Sequence, residues 1–197
     1  MPLTIRHILL VLFALVPSIA HADWKAVETV QTYAIRGASG IELYRSIGEN
    51  GPKAGPGRAI AFTDFKLTWR RNYVPQNGGC TLVSAVPNLT LIYRLPKPSG
   101  TLPPAVRQSW EIFIEGVRRH EKTHGEMIVD MVRQIEAASV GFSVPDDPKC
   151  SKIREQLTQK LGQLSLAQRQ KSRDFDRAEL SDGGVVHQLI LNLANGP

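Results

Sequence analysis

The sequence lacks several features that would assign it to a familiar class of protein. No internal repeat is visible, and beyond the first 22 residues no apolar run comes close to the length of a bilayer span. Aromatic residues make up only 7% of the chain. The densest basic pairs, Arg70-Arg71 and Arg118-Arg119, are not interleaved with aromatics as a nucleic-acid platform would be. The sequence therefore predicts no repeat array, no membrane span in the mature chain and no nucleic-acid partner.

The first 22 residues have the organisation of a signal peptide. Arg6 gives a positively charged start, an apolar segment runs from Ile8 to Val16, and Ala20-His21-Ala22 matches an A-x-A cleavage site. We therefore expect cleavage after Ala22 and a secreted or periplasmic chain, with one domain over residues 23–197. Cleavage removes one basic and no acidic residue, so the formal net charge falls by one from +6. That modest excess predicts a solvated basic surface.

Cysteine is scarce, since Cys80 and Cys150 are the only two in the chain. In an oxidising compartment they are expected to form one disulfide, which would join the strand region to the connection after a long helix. Closing a loop of about seventy residues contributes roughly 4 kcal/mol in the chain-entropy treatment. The alternative role for a thiolate in this chain is that of a zinc ligand.

One stretch carries recognisable chemistry, because His120-Glu121-Lys122-Thr123-His124 matches H-E-x-x-H. On an α-helix, histidines four residues apart lie about 40° from each other, so both imidazoles can bind one metal ion. Apolar residues recur at steps of three and four around the motif and predict a helix over Pro104 to Val140: Trp110, Phe113, Val117, Met127, Met131 and Ile135. We expect His120 and His124 to bind zinc and Glu121 to activate a water molecule. Two hydrogen-bonded core histidines without metal would give the same spacing.

Strand patterns precede this helix. Apolar and polar residues alternate within Asp23 to Ile35, from Ala59 to Arg70, and from Thr81 to Leu95, and the last two stretches predict an antiparallel pair with a turn at Pro75 to Gly79. Ser39 predicts the N-cap of a short helix that ends at Gly48. Residues 23–98 are therefore expected to be mainly strands with one short helix.

A second long helix is predicted from Ser151 to Glu179, with Ser181 to Gly184 as its stop. The two long helices then occupy residues 101–182, and residues 183–197 form a tail that either docks on the core or is loose. We expect an α+β fold in which a small antiparallel sheet packs against two long helices, the first carrying H-E-x-x-H.

A third zinc ligand is harder to assign from the residues. Four side chains of the mature chain are candidates: His187, Asp176, Glu179 and Asp182. A plain antiparallel hairpin of the two long helices would place Gln159 to Gln163 opposite His124, but no Asp, Glu, His or Cys occurs from Gln156 to Arg173. The ligand is then expected beyond a bend near Gly162, or from the strand region, or no third protein ligand exists.

The chain resembles a bacterial family described as predicted secreted zinc-dependent proteases and catalogued as a domain of unknown function. The shared motifs run through most of the mature chain: Tyr33-Ala34-Ile35-Arg36-Gly37, Gly51-Pro52, Thr68-Trp69, Cys80, His120-Glu121-Lys122-Thr123-His124-Gly125 and Cys150. In that family we expect the final helix to end in Tyr-Asp-x-x-Thr-x-His-Gly. Here the matching stretch is Phe175 to Gly183, and the pattern's histidine falls on Ser181, or on Asp182 if one residue is inserted.

This resemblance implies a peptidase in which the roles of His120, Glu121 and His124 carry over. We predict Asp182 as the third ligand, with His187 or Glu179 as alternatives. The expected function is that of an exported zinc metallopeptidase acting on protein or peptide substrates. Two alternatives remain open: a non-catalytic envelope binding protein with a degraded or incomplete metal site, and a zinc amidase acting on peptidoglycan.

Overall fold

A computed structural model describes residues 24–55 and 57–197, so the predicted signal peptide lies outside the described residues. The elements follow in the order β1 (Val27–Ile35), α1 (Gly40–Asn50), β2 (Lys53–Ala54), β3 (Gly57–Arg58), β4 (Phe62–Gln76), β5 (Gly79–Pro98), α2 (Pro104–Ser139), β6 (Ser143–Val144), α3 (Lys152–Leu180) and α4 (Val185–Ala194). This order confirms the predicted α+β class. None of the helices in the described part of the chain is long and apolar enough to cross a membrane.

The main sheet is centred on β5, which has β1 on one side and β4 on the other. β4 pairs antiparallel with β5 over the full length of β4, from Phe62 opposite Arg94 to Gln76 opposite Gly79, as the sequence predicts. β1 pairs parallel to β5, however, so the small sheet expected to be antiparallel is mixed. The reason lies in the connection, because α1 and the β2–β3 hairpin separate β1 from β4 and carry the chain to the opposite edge of β5.

The turn between β4 and β5 is tighter than the sequence suggests. Asn77 and Gly78 form it alone, with φ angles of 51° and 76°. Positive φ at both central residues is the geometry of a two-residue hairpin turn, and asparagine followed by glycine adopts it readily.

Pro87 interrupts no hydrogen-bond ladder on the β1 side of β5, because the pairing with β1 begins only at Thr90.

α2 packs one face against β5 and forms the centre of the core. The predicted apolar stripe is largely buried, with Phe113 and Val117 almost completely enclosed, and His120 is buried as well. The helix continues through Gly116. A Cβ atom at Gly116 would lie 2.2 Å from Cδ1 of Leu189, so the absence of a side chain there lets α4 approach. The tail therefore docks as a helix rather than remaining loose.

The predicted disulfide is confirmed. Cys80 at the start of β5 is bonded to Cys150, whose Cα atom lies 5.2 Å from that of Cys80. β6 reinforces the connection, because Val144 pairs with Cys80 in the sheet. The start of α3 is therefore held against the sheet by one covalent bond and one short strand.

Asp147 caps the start of α3. Its carboxylate accepts hydrogen bonds from the backbone N–H of Ser151 at 2.8 Å and of Ile153 at 2.9 Å. Burial opposes ionisation, but the backbone hydrogen bonds outweigh it and hold the pKa of the Asp147 carboxyl below its ordinary value. A carboxyl with a depressed folded-state pKa contributes stability above its unfolded pKa, and that contribution is lost as pH falls through the folded pKa.

Asp147→Asn is therefore expected to destabilise the protein at pH 7, because the amide cannot offer two carboxylate oxygens to the helix start. The difference from the wild type should shrink as pH falls below about 4, where an unfolded aspartate is protonated. Urea unfolding between pH 7 and pH 2 measures it. Asp146→Asn serves as the control, since that exposed neighbour has a φ of 50° that asparagine also tolerates. An equal loss in both variants would contradict the capping role.

Candidate metal centre

The two histidines of the motif direct their Nε2 atoms toward the same point. Nε2 of His120 lies 3.1 Å from Nε2 of His124. Oδ1 of Asp176, on α3, lies 3.2 Å from the first of these atoms and 2.8 Å from the second. Within residues 24–55 and 57–197, these three side chains form the group whose donor atoms all lie within 4.8 Å of one another and could hold a metal ion.

Helical periodicity on both helices explains this convergence. The four-residue spacing places both histidines on one face of α2, and that face packs against α3. On α3, Ser172 and Asp176 are also four residues apart, and each lies beside one or both imidazoles. Phe175 stacks on His120 with ring centroids 4.8 Å apart and planes 17° apart, which fixes the orientation of that ring.

The structure does not bring the predicted third ligand to the histidines. Asp182 is exposed and lies beyond the end of α3 at Leu180, whereas Asp176 lies within the helix on its inner face. The alternative His187 accepts a hydrogen bond from the backbone N–H of Gly183 at 3.2 Å, which places it at the start of α4. Glu179 contacts the site from the outer side, with Oε2 3.9 Å from Nδ1 of His120.

The bend near Gly162, one of the three alternatives for the third ligand, is not formed, because α3 is one uninterrupted helix. The simple hairpin estimate places the wrong residues opposite His124, whose actual neighbour is Ser172. His124 lies 15 residues before the end of α2 at Ser139, whereas Ser172 lies 20 residues after the start of α3 at Lys152, so α3 begins beyond the level at which α2 ends. More residues of α3 are therefore needed to come level with the motif. The sequence contains a signal for Asp176, because Phe175-Asp176 matches the Tyr-Asp of the pattern expected from the resemblance.

Glu121 is held in one position by β4. It is buried, and its Oε2 accepts a hydrogen bond from the hydroxyl of Thr63 at 2.5 Å, while the same hydroxyl lies 3.0 Å from its backbone carbonyl. Burial raises the pKa of the Glu121 carboxyl, although the Thr63 hydrogen bond and the neighbouring imidazoles act in the opposite direction. A carboxyl with a raised pKa is better matched to proton transfer near neutral pH.

The charges of the three converging groups depend on one another. Burial disfavours ionisation of Asp176, but hydrogen bonding with His120 and His124 and the charge of these imidazoles outweigh it and keep the pKa of the carboxyl well below its usual range. Burial also disfavours the charged form of His124, but the hydrogen bond and charge of Asp176 prevail and raise the pKa of that imidazole. The site thus combines an anionic oxygen with two nitrogen donors, a ligand set that suits zinc.

A cleft of about 600 Å³ opens over this group, between β4 and the helices. Its polar lining includes both histidines, Glu121 and Asp176. Much of the remaining lining is apolar: Phe62, Phe65, Val117, Ile128, Leu180, Val186 and Ile190. A cleft with an apolar wall and a few convergent polar groups is typical of a ligand-binding or catalytic site.

The chain matches a family model over residues 30–184, and the family is described as bacterial protein of unknown function (DUF922). The protein belongs to this family. The DUF922 region contains both cysteines, the H-E-x-x-H motif and Asp176, while α4 follows it. No curated protein and no solved structure is significantly similar to the chain.

Proposed function

We propose that the protein is an exported zinc-dependent metallopeptidase. The observation that carries this proposal is the convergence of Nε2 of His120, Nε2 of His124 and Oδ1 of Asp176 beside the buried carboxylate of Glu121. Two imidazoles and one carboxylate are a ligand set of catalytic zinc sites, in which three protein groups leave one coordination position open. The H-E-x-x-H spacing is the sequence counterpart of this arrangement.

The donor spacing fits the size of a zinc ion. In a tetrahedral site with bonds of about 2.0–2.1 Å, neighbouring donor atoms are about 3.3 Å apart. The three donor pairs here are separated by 3.1, 3.2 and 2.8 Å. A movement of a few tenths of an ångström in each side chain, which is within ordinary side-chain freedom, would therefore admit the ion.

Each residue of the site then has a defined task. His120, His124 and Asp176 would hold the ion, and zinc supplies Lewis acidity that makes water a nucleophile near neutral pH. Glu121 accepts a proton from the attacking water and donates it to the leaving amine, while the Thr63 hydroxyl holds the carboxylate in place. The apolar wall of the cleft excludes water and contacts the side chains of a bound peptide.

Export is supported by two independent features. The N-terminal segment has the organisation of a signal peptide, and the Cys80–Cys150 disulfide is suited to an oxidising compartment. We therefore place the activity in the periplasm or outside the cell, where unfolded proteins and peptides are available as substrates.

The proposal is tested on the purified mature protein. We expect nearly one zinc ion per chain by elemental analysis, and cleavage of a casein-like unfolded substrate that stops with a chelator and returns with added zinc. Purified cell wall is offered in parallel. Cleavage of cell wall alone would identify an amidase instead, and a protein that binds no zinc and cleaves neither substrate would indicate a non-catalytic binding protein.

A further inference from the structure

One atom at the candidate site lacks a hydrogen-bond partner. Nδ1 of His120 is buried, and within the described part of the chain no partner reaches it. Buried polar atoms are nearly always paired, so the unpaired Nδ1 of His120 calls for an explanation. His120 is itself only 9% exposed, which leaves little access for solvent.

A carboxylate lies close to this atom. Oε2 of Glu179 is 3.9 Å from Nδ1 of His120, on the side of the ring that faces away from His124 and Asp176. Glu179 follows Asp176 by three residues on α3, so the two carboxylates share one helix face. The separation exceeds a hydrogen bond, but a small change in the side-chain torsions of Glu179 would close it.

His124 offers a direct comparison within the same site. Its Nδ1 lies 3.4 Å from Oγ of Ser172, again on α3. That hydroxyl is fixed in turn, because it accepts a hydrogen bond from the amide of Gln168 at 2.9 Å. Each histidine thus presents Nε2 to the common centre and Nδ1 to a polar side chain of α3.

We propose that Glu179 is a positioning residue that accepts the Nδ1–H of His120 and thereby keeps Nε2 free to bind the metal. A neutral imidazole that ligates through Nε2 carries its hydrogen on Nδ1, and an acceptor there fixes both the tautomer and the ring orientation. This inference rests on the proposed zinc site for its purpose, but the hydrogen bond itself can be examined without metal.

The first measurement is the zinc dissociation constant, obtained by competition with a chromophoric chelator. Glu179→Ala is expected to weaken zinc binding by about 10–100-fold, the range typical of outer partners of metal-bound histidines. Glu179→Gln should recover part of the loss, because its amide oxygen still accepts a hydrogen bond. Asp174→Asn removes the same charge from an exposed position on the same helix and should leave the constant unchanged.

The second measurement is the tautomer of His120 in the metal-free protein, read from the nitrogen chemical shifts of its ring. Oδ1 of Asp176 lies 3.2 Å from Nε2 and competes for the ring hydrogen, so the readout is the difference between variants. Glu179→Ala should move the hydrogen of the neutral ring from Nδ1 toward Nε2 while the fold, followed by circular dichroism, is unchanged. This readout separates two failures. If the wild type binds no zinc, the proposed function fails, and the tautomer still decides the role of Glu179.

Three results would overturn the positioning role. The first is an unchanged His120 tautomer in Glu179→Ala. The second is an equal loss of zinc affinity in Glu179→Ala, Glu179→Gln and Asp174→Asn, which would indicate a general effect of charge. The third is a complete loss of zinc in Glu179→Ala, as severe as that of His120→Ala, which would make Glu179 a ligand.

Discussion

Glu121→Gln is expected to lower the rate of peptide hydrolysis by about 10²–10⁴-fold, the range that general acid–base catalysis typically contributes. The substitution keeps the shape of the side chain and an oxygen that can accept the Thr63 hydrogen bond, but it removes the ability to take up a proton. Because Glu121 is not one of the three converging donors, the zinc content should be unchanged. Initial rates on an unfolded casein-like substrate, with zinc measured on the same samples, test the prediction.

The matched control is Glu126→Gln. Glu126 is exposed and lies on the same helix, so its substitution removes the same charge without changing the cleft. Its activity should equal that of the wild type. Hydrolysis that survives Glu121→Gln at the wild-type rate would exclude this carboxylate from the mechanism, and a parallel loss in both variants would indicate a nonspecific effect.

Asp176→Asn is expected to weaken zinc binding by more than about 100-fold, beyond the range that outer partners of ligands produce. Asp176 supplies the anionic oxygen of the three-donor group, and an amide oxygen is a much poorer zinc ligand than a carboxylate. The loss should appear both in the zinc dissociation constant and in a smaller zinc-dependent rise of the melting temperature, since an ion that binds only the folded state stabilises it.

Asp182→Asn compares the third ligand predicted from the sequence with Asp176, the third ligand proposed from the structure. Asp182 is the third ligand that sequence analysis predicts, and it lies on the exposed segment after α3. Zinc affinity should be unaffected by this change. A loss with Asp182→Asn and none with Asp176→Asn would restore the sequence-based assignment and remove α3 from the metal site.

The sequence predicted the parts of the fold that depend on local patterns. The apolar spacing around the motif gave α2 nearly to its ends, and period-two alternation gave the antiparallel pairing of β4 and β5. The predicted N-cap at Ser39 is confirmed, because its hydroxyl accepts a hydrogen bond from the backbone N–H of Glu42. These features are local because helix periodicity, strand alternation and capping each involve neighbours within a few residues.

The missed features depend on distances between elements that are far apart in sequence. The parallel pairing of β1 follows from the path of a long connection, which no single stretch encodes. The choice of Asp176 over Asp182 depends on how far residues 140–151 displace the start of α3 relative to α2. Such an offset decides which residues face each other. A small error in predicting it therefore selects a carboxylate on a solvent-exposed segment instead of one on the inner face of the helix.

The separation of the three donors along the chain has a consequence for biosynthesis. A nascent polypeptide that has been synthesised only as far as α2 already contains the whole H-E-x-x-H motif but lacks Asp176, which arrives with the late part of α3. Such an unfinished polypeptide has two of the three donors and neither Ser172 nor Glu179 beside the rings. Under the proposed function, the complete set of three ligands therefore exists only after Asp176 has been synthesised.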